Sequence, residues 1–245
     1  MHKICSKTIR LFLTSGVLLL LGSCGNAYYV AKAPTIPMLE EKGDFCASFG
    51  AQLTSATLLF GYGALTMDAA YAVSDHWAVQ AAGQICDDQE DYYLQASAIC
   101  YLPIREHQEL ELWAGAGKGL SIAGKELTSE HSYTTRFHNQ QYYALASYGW
   151  RNLTRAHIDC GVGLRGGCMP FHLTSVSNHT GEVEADQDFV APFFEPQIFF
   201  RIGPEHVRFQ LQINYTNLPT YFSRKEVARV VSSPLMFSAG VTLHL

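Results

Sequence analysis

The chain predicts an all-β fold, a single antiparallel up-and-down β-barrel of about ten strands, preceded by a leader and a short linker. Three observations carry that prediction. Polar and apolar residues alternate with period two through most of the chain after residue 43. The connections between alternating stretches are short and long by turns. No apolar run after Cys24 approaches the ~20 residues that a membrane-crossing helix needs.

The N-terminus has its own pattern. Lys3, Lys7 and Arg10 make a basic start, Leu11 to Leu21 is an apolar run of eleven residues, and Gly22-Ser23-Cys24 follows. This is the layout of a secretory signal peptide, and the run is too short to cross a bilayer. We expect a leader over 1–23, a linker over 24–42 and a barrel domain over 43–245. The mature chain then has 222 residues, one β domain of ordinary size. The net charge of −5 becomes −8, because the leader holds three basic residues and no acidic one. An acidic chain with scattered Lys and Arg lacks the basic footprint of a nucleic-acid binder.

In the linker, Pro34 and Pro37 disfavour both helix and central strand. The clearest strand is 207–216, where Val207, Phe209, Leu211, Ile213 and Tyr215 alternate with Arg208, Gln210, Gln212, Asn214 and Thr216. A strand puts each set on one face, whereas a helix scatters both. Residues 156–165 and the C-terminal stretch 235–245 repeat the theme. Weaker versions lie at 44–52, 63–73, 77–85, 92–102, 109–118, 140–150 and 190–202. Pro192 and Pro196 fall inside the last of these and each removes a ladder donor, so we expect a bulge there or a start after Pro196.

Tight links are expected at Ser74-Asp75-His76, 103–108, 151–155 and 203–206, and longer ones at 53–62, 86–91, 119–139, 166–189 and 217–234. Transmembrane barrels sort their connections in this way, with short periplasmic turns and longer extracellular loops. A ten-residue strand rising ~3.3 Å per residue and tilted ~45° covers roughly 23 Å, close to the ~25 Å apolar band of such barrels.

Leu21-Gly22-Ser23-Cys24 resembles the lipobox of bacterial lipoproteins, in which the signal is cut before a cysteine that carries lipid on its sulfur and amino group. With the run Pro-Thr-Ile-Pro-Met-Leu-Glu-Glu-Lys-Gly-Asp over 34–44 and the strand ladder to Leu245, the chain resembles the lipidated outer-membrane β-barrel proteins of Gram-negative bacteria. The resemblance implies acylation at Cys24 and a cell-outer-membrane location, lipid-anchored and integral. It departs from the usual pattern at the C-terminus, which is Leu245 and not an aromatic residue.

By parity one face collects Asp68, Gln80, Gln95, Glu109, Glu111, Gln141, Asp159, Arg165, Glu195, Gln197, Arg201, Arg208, Gln210 and Gln212. In a narrow barrel these point inward, and Glu109, Glu111, Asp159, Arg165, Glu195, Arg201 and Arg208 form a candidate polar network, since buried charges need partners. A plugged lumen is favoured over a small pore, because about ten strands leave little space beyond their side chains. Trp113 shares the inward parity and is expected to fill volume.

Five cysteines remain in the mature barrel, Cys46, Cys86, Cys100, Cys160 and Cys168. Their pairing stays open, with Cys86 and Cys168 both at the loop end of their strands. There is no CxxC and no zinc spacing, so no metal or cofactor is expected. His172, His179, Glu182, Glu184, Asp186 and Asp188 in 166–189, and the acidic run 87–91, read as solvated loops. No nucleophile–base constellation is recognisable, and the chain is expected not to be an enzyme.

The expected function is a structural, adhesive or ligand-binding role through the long loops, with outer-membrane lipid around the barrel and a surface ligand or lipopolysaccharide as partner. Oligomeric state is open. The competing expectation is a soluble periplasm-facing barrel that binds a small apolar molecule and is held only by the lipid on Cys24. The two invert the barrel, polar inside for the first and apolar inside for the second.

Overall fold

The computed structural model describes residues 28–29, 34–54, 63–86, 91–128, 131–154, 157–204, 206–217, 221–222, 229–232 and 235–245. Residues 1–27, Cys24 among them, and the acidic run 87–90 lie outside the described residues.

Ten strands close into one barrel: β2 (Phe45–Thr54), β3 (Gly63–Ser74), β4 (Trp77–Cys86), β5 (Tyr92–Arg105), β6 (Gln108–Thr128), β7 (His131–Trp150), β8 (Asp159–Ser177), β9 (Val183–Ile202), β10 (Val207–Tyr215) and β13 (Leu235–His244). Each barrel strand through β10 pairs antiparallel with its predecessor, and β13 closes the circle between β10 and β2. A separate small sheet has the order β1-β12-β11, built from β1 (Tyr28–Tyr29), β11 (Tyr221–Phe222) and β12 (Arg229–Ser232).

The alternation in the sequence is the alternation of the wall. Along β10, Arg208, Gln210, Gln212 and Asn214 are buried while Val207, Phe209, Leu211, Ile213 and Tyr215 are exposed on the outside. The same exposed apolar surface continues through Leu65, Val79, Leu94, Leu112, Val162 and Ile198 on neighbouring strands. The inside is polar and the outside apolar, the reverse of a water-soluble carrier. Closure of the sheet also leaves no strand edge unpaired in the apolar zone, as lipid demands.

Two expected loops are corrected. Residues 119–139 and 166–189 belong largely to strands, because β6 and β7 run 21 and 20 residues and β8 and β9 run 19 and 20. At ~3.3 Å per residue these hairpins far outreach a ~25 Å band. Their burial still alternates, but the outward set turns polar: Arg136, His138, Gln140, His172, Asp186 and Asp188. Opposite this polar outer set the inward residues include Phe137, Phe171 and Leu173, so the rhythm continues with its sense inverted relative to the membrane band.

The prolines of β9 need no bulge. The amide of Phe194 donates to Asn217 on the β10 side, so residues 192 and 196 would aim their amides the same way. The regular β9–β10 ladder ends at Gln197–Asn214. The Phe194–Asn217 bridge keeps that register, so Pro196 faces Tyr215 and leaves one ladder bond unmade without any inserted residue.

Leu211→Arg, at the centre of the exposed apolar row of β10, should destabilise the barrel by about 2–4 kcal/mol in lipid vesicles, whereas His138→Arg on the polar part of β7 should change it by less than about 0.5 kcal/mol. Urea titration followed by tryptophan fluorescence measures both. Equal effects would show that the apolar row does not face lipid.

Candidate functional site

The lumen is the candidate site, and it is full. Among the described residues, Asp68, Glu109, Glu111, Asp159, Glu195, Arg165, Arg201 and Arg208 all point inward and are buried. Arg165 Nη2 lies 2.8 Å from Glu195 Oε1, with neither side chain exposed. The Arg165 guanidinium also stacks between the rings of Tyr143 and Phe193, at 5.3 and 5.4 Å. Glu195 further accepts from Thr216 Oγ1 at 2.5 Å and Asn214 Nδ2 at 3.3 Å. Arg208 pairs with Asp159 and reaches Asn152 Oδ1 at 3.3 Å. Glu109 holds Arg151 Nη2 at 2.7 Å, and Arg151 Nη1 meets Glu40 Oε1 at 2.6 Å.

Glycines make room for this filling. Cβ atoms at Gly115 and Gly117 would overlap the rings of Tyr143 and Tyr93, whose bulk occupies the lumen opposite β6. Tyr93 donates to Gln141 across that space. Trp113 fills volume, donating from Nε1 to Glu111 Oε2 at 3.0 Å. Towards the long-hairpin end the inward residues become apolar, with Phe137, Met169, Leu173 and Phe193 buried and Phe171 stacked on Phe189 at 5.0 Å.

The described part of the expected 24–42 linker does not hang free of the wall. Residues 34–39 are buried inside the barrel. Five successive carbonyls of that segment accept from lumen side chains: Pro34 from Gln212, Thr35 from Gln80, Ile36 and Pro37 from Arg201, and Met38 from Arg151. Two of its backbone donors are served as well, since Asp68 accepts from Thr35 N and Oγ1 at 3.4 and 3.1 Å, and Glu111 accepts from Met38 N at 2.9 Å. Pro34 and Pro37 carry no amide hydrogen, which halves the backbone donors of residues 34–37 that the lumen would otherwise have to satisfy.

Parity brings Asp68, Gln80, Glu111, Arg201 and Gln212 together around this segment. It could not find Arg151, which lies in a turn, or the segment itself. The available signal was Ile36, Met38 and Leu39, three apolar residues with no reason to be in a solvated linker.

Other candidates lie elsewhere. His172, Asp186 and Asp188 meet on the outer face of β8–β9, with His172 Nδ1 2.9 Å from Asp188 Oδ1 and Nε2 3.5 Å from Asp186 Oδ1. Among the described residues no group of three or more His, Cys, Asp or Glu is arranged to hold a metal. Among the described residues the five barrel cysteines form no disulfide with one another. Cys86 on β4 and Cys168 on β8 are four strands apart around the wall. At the short-turn end a cavity of about 510 Å³ opens beneath Met38, lined by Glu40, Asp44, Arg151, His206, Arg208 and His244 among others.

No protein-family model matches the sequence, and no curated protein does. Solved structures do match. The outer membrane protease OmpT from Escherichia coli is 7% identical with a TM-score of 0.54, over 83% of this chain and 94% of that one. The translocator domain of the autotransporter NalP from Neisseria meningitidis is 7% identical with a TM-score of 0.51, over 85% and 90% of the two chains. This is the fold of Gram-negative outer-membrane β-barrels. The expectation that the chain is not an enzyme is corrected, because a barrel of this shape is a protease in OmpT and a missing linear motif excludes no chemistry. At this identity the likeness shows the fold and assigns no reaction.

Two predictions follow from the packing of the lumen. Glu195→Ala leaves Arg165 buried without its carboxylate and should cost about 3–5 kcal/mol, while Arg165→Met with Glu195→Leu should cost far less. Urea midpoints of the refolded barrels decide between these. In planar bilayers the full barrel should pass no ion current, and a chain lacking residues 25–39 should show single-channel steps. Silence from both would mean that the wall side chains close the lumen unaided.

Proposed function

We propose that this chain is an integral outer-membrane lipoprotein, acylated at Cys24, with a structural, adhesive or ligand-binding role carried by the long β6–β7 and β8–β9 hairpins. The single observation behind the membrane reading is the inverted barrel, with charged residues sealed inside and an apolar surface outside. Outer-membrane lipid surrounds that surface, and a surface ligand or lipopolysaccharide meets the polar outer faces of the long hairpins. The short turns then face the periplasm and the hairpins the exterior. The fold shared with OmpT and NalP supports the same location.

A periplasmic carrier for a small apolar molecule is disfavoured by the same observation. Its binding cavity would have to be the lumen, which holds buried Arg165, Arg201 and Glu195.

The deciding experiment is alkaline carbonate extraction of outer membranes bearing the Cys24→Ala variant, exported behind a cleavable non-lipid signal. The variant should stay in the membrane pellet, held by its strands. Release as a folded soluble protein would make the lipid the only anchor and overturn the integral reading.

A further inference from the structure

The path of the N-terminal chain carries an inference about which side of the membrane that end occupies. At the short-turn end the chain is pinned to the rim. Gly43 N donates to Ala72 O at 2.9 Å, and Phe45 N donates to Leu245 O at 2.9 Å. Traced backwards from there, the chain climbs inside the barrel. Met38 is held by Glu111 and Arg151, near the β5–β6 and β7–β8 turns. Thr35 is held by Asp68, four residues further from the β3–β4 turn than Ala72, and by Gln80, three residues further than Trp77. Pro34 is held by Gln212, five residues along β10 from its start at Val207.

The next described residues lie past the far end. Tyr28 and Tyr29 pair in parallel with Val231 and Ser232 of β12. That strand belongs to the connection between β10 and β13, which leaves β10 at Tyr215, opposite Leu235. β1 also passes close to β6, which stands across the barrel from β13. β1 is only two residues long, so its contacts with both β12 and β6 mean that the β10–β13 connection reaches over the mouth toward β6. Five residue steps join Tyr29 to Pro34, enough for roughly 17 Å of extended chain. Gln212 is only three residues from the end of β10, roughly 10 Å along the strand.

We propose that the N-terminal chain threads the whole barrel from the long-hairpin mouth to the short-turn mouth, so that the Cys24 end lies on the side of the long hairpins. Cys24 is four residues before Tyr28 and so stays within roughly 14 Å of it along the chain. Resting on the lipoprotein reading above, the acyl group belongs to the outer leaflet and the protein is anchored at the cell surface. The lipid and the strands then act from opposite ends of the same plug, with the acyl group fixing the outer end and β2 the inner end. A lumen this full cannot let an acylated terminus through after closure. The barrel must close around the chain at the β2–β13 seam.

The test places an epitope at three positions of the full-length lipidated protein: after Asn26, in the β8–β9 turn after Asn178, and in the β5–β6 turn after Glu106. Antibody binding is read on intact and on permeabilised cells. Threading makes the Asn26 epitope accessible on intact cells to the same extent as the Asn178 epitope, with the Glu106 epitope silent until permeabilisation. An Asn26 epitope that follows Glu106 and not Asn178 overturns threading and leaves the membrane reading intact. Asn178 silent on intact cells instead shows that the sidedness of the barrel itself was misread, which overturns the surface anchor too. To guard against insertions that block folding, Asn26→Cys, Asn178→Cys and Glu106→Cys are made with the five barrel cysteines replaced by Ala. A membrane-impermeant maleimide should label the first two on intact cells and spare the third, and sparing of Asn26→Cys beside a labelled Asn178→Cys again overturns threading.

Discussion

The structure depends on the pairing of backbone polar groups inside a closed wall. A peptide carbonyl or amide taken out of water must find a partner or cost free energy of the order of a lost hydrogen bond. Here a stretch of irregular backbone, residues 34–39, lies where no water layer and no ladder can serve it. Arg201, Gln80, Gln212 and Arg151 supply donors to its carbonyls in place of a neighbouring strand. Arg201 is central because its fork serves two adjacent carbonyls and also Gln210 Oε1 at 2.8 Å. The guanidinium suits this position, since it offers several N–H groups in a rigid plane and keeps its charge.

From that constraint the rest of the lumen follows. Charges buried within the wall come in linked sets, and each set ties neighbouring or next-but-one strands together. Arg165–Glu195 joins β8 to β9, Asp159–Arg208 joins β8 to β10, and Arg151 joins the β7–β8 turn to β6 and to Glu40. Such pairs are weak evidence for stability on their own, because desolvation offsets much of the attraction. Their consequence here is geometric. They fix the register of strands around a plug that has no secondary structure of its own. The apolar exterior does the opposite work, making the closed wall compatible with lipid.

Much of this was legible in the residues. The parity of β10 was readable because Arg208, Gln210, Gln212 and Asn214 face one way and five apolar side chains face the other. The inward placement of Glu109, Glu111 and Trp113 followed from the same rule applied to β6. The rule failed above the apolar band because its sense inverts there, with His138, His172 and Asp188 facing outward and Phe137, Phe171 and Leu173 inward. It also failed for the plug, because parity describes a strand and residues 34–39 form none. Two prolines there read as a break in structure. In the folded chain they instead lighten the demand for buried acceptors.

By itself the sequence determined the all-β class, the approximate strand number, and the polar inside and apolar outside. Those properties are local or periodic, and each is written in a few neighbouring residues. Tertiary structure alone decided the length of the long hairpins, the partners of each buried charge and the path of the N-terminal chain. These depend on contacts between residues as far apart as Ile36 and Arg201, which only closure of the barrel brings together. A segment that is an ordinary tether outside a barrel becomes its plug once the wall closes around it, and no local pattern distinguishes the two.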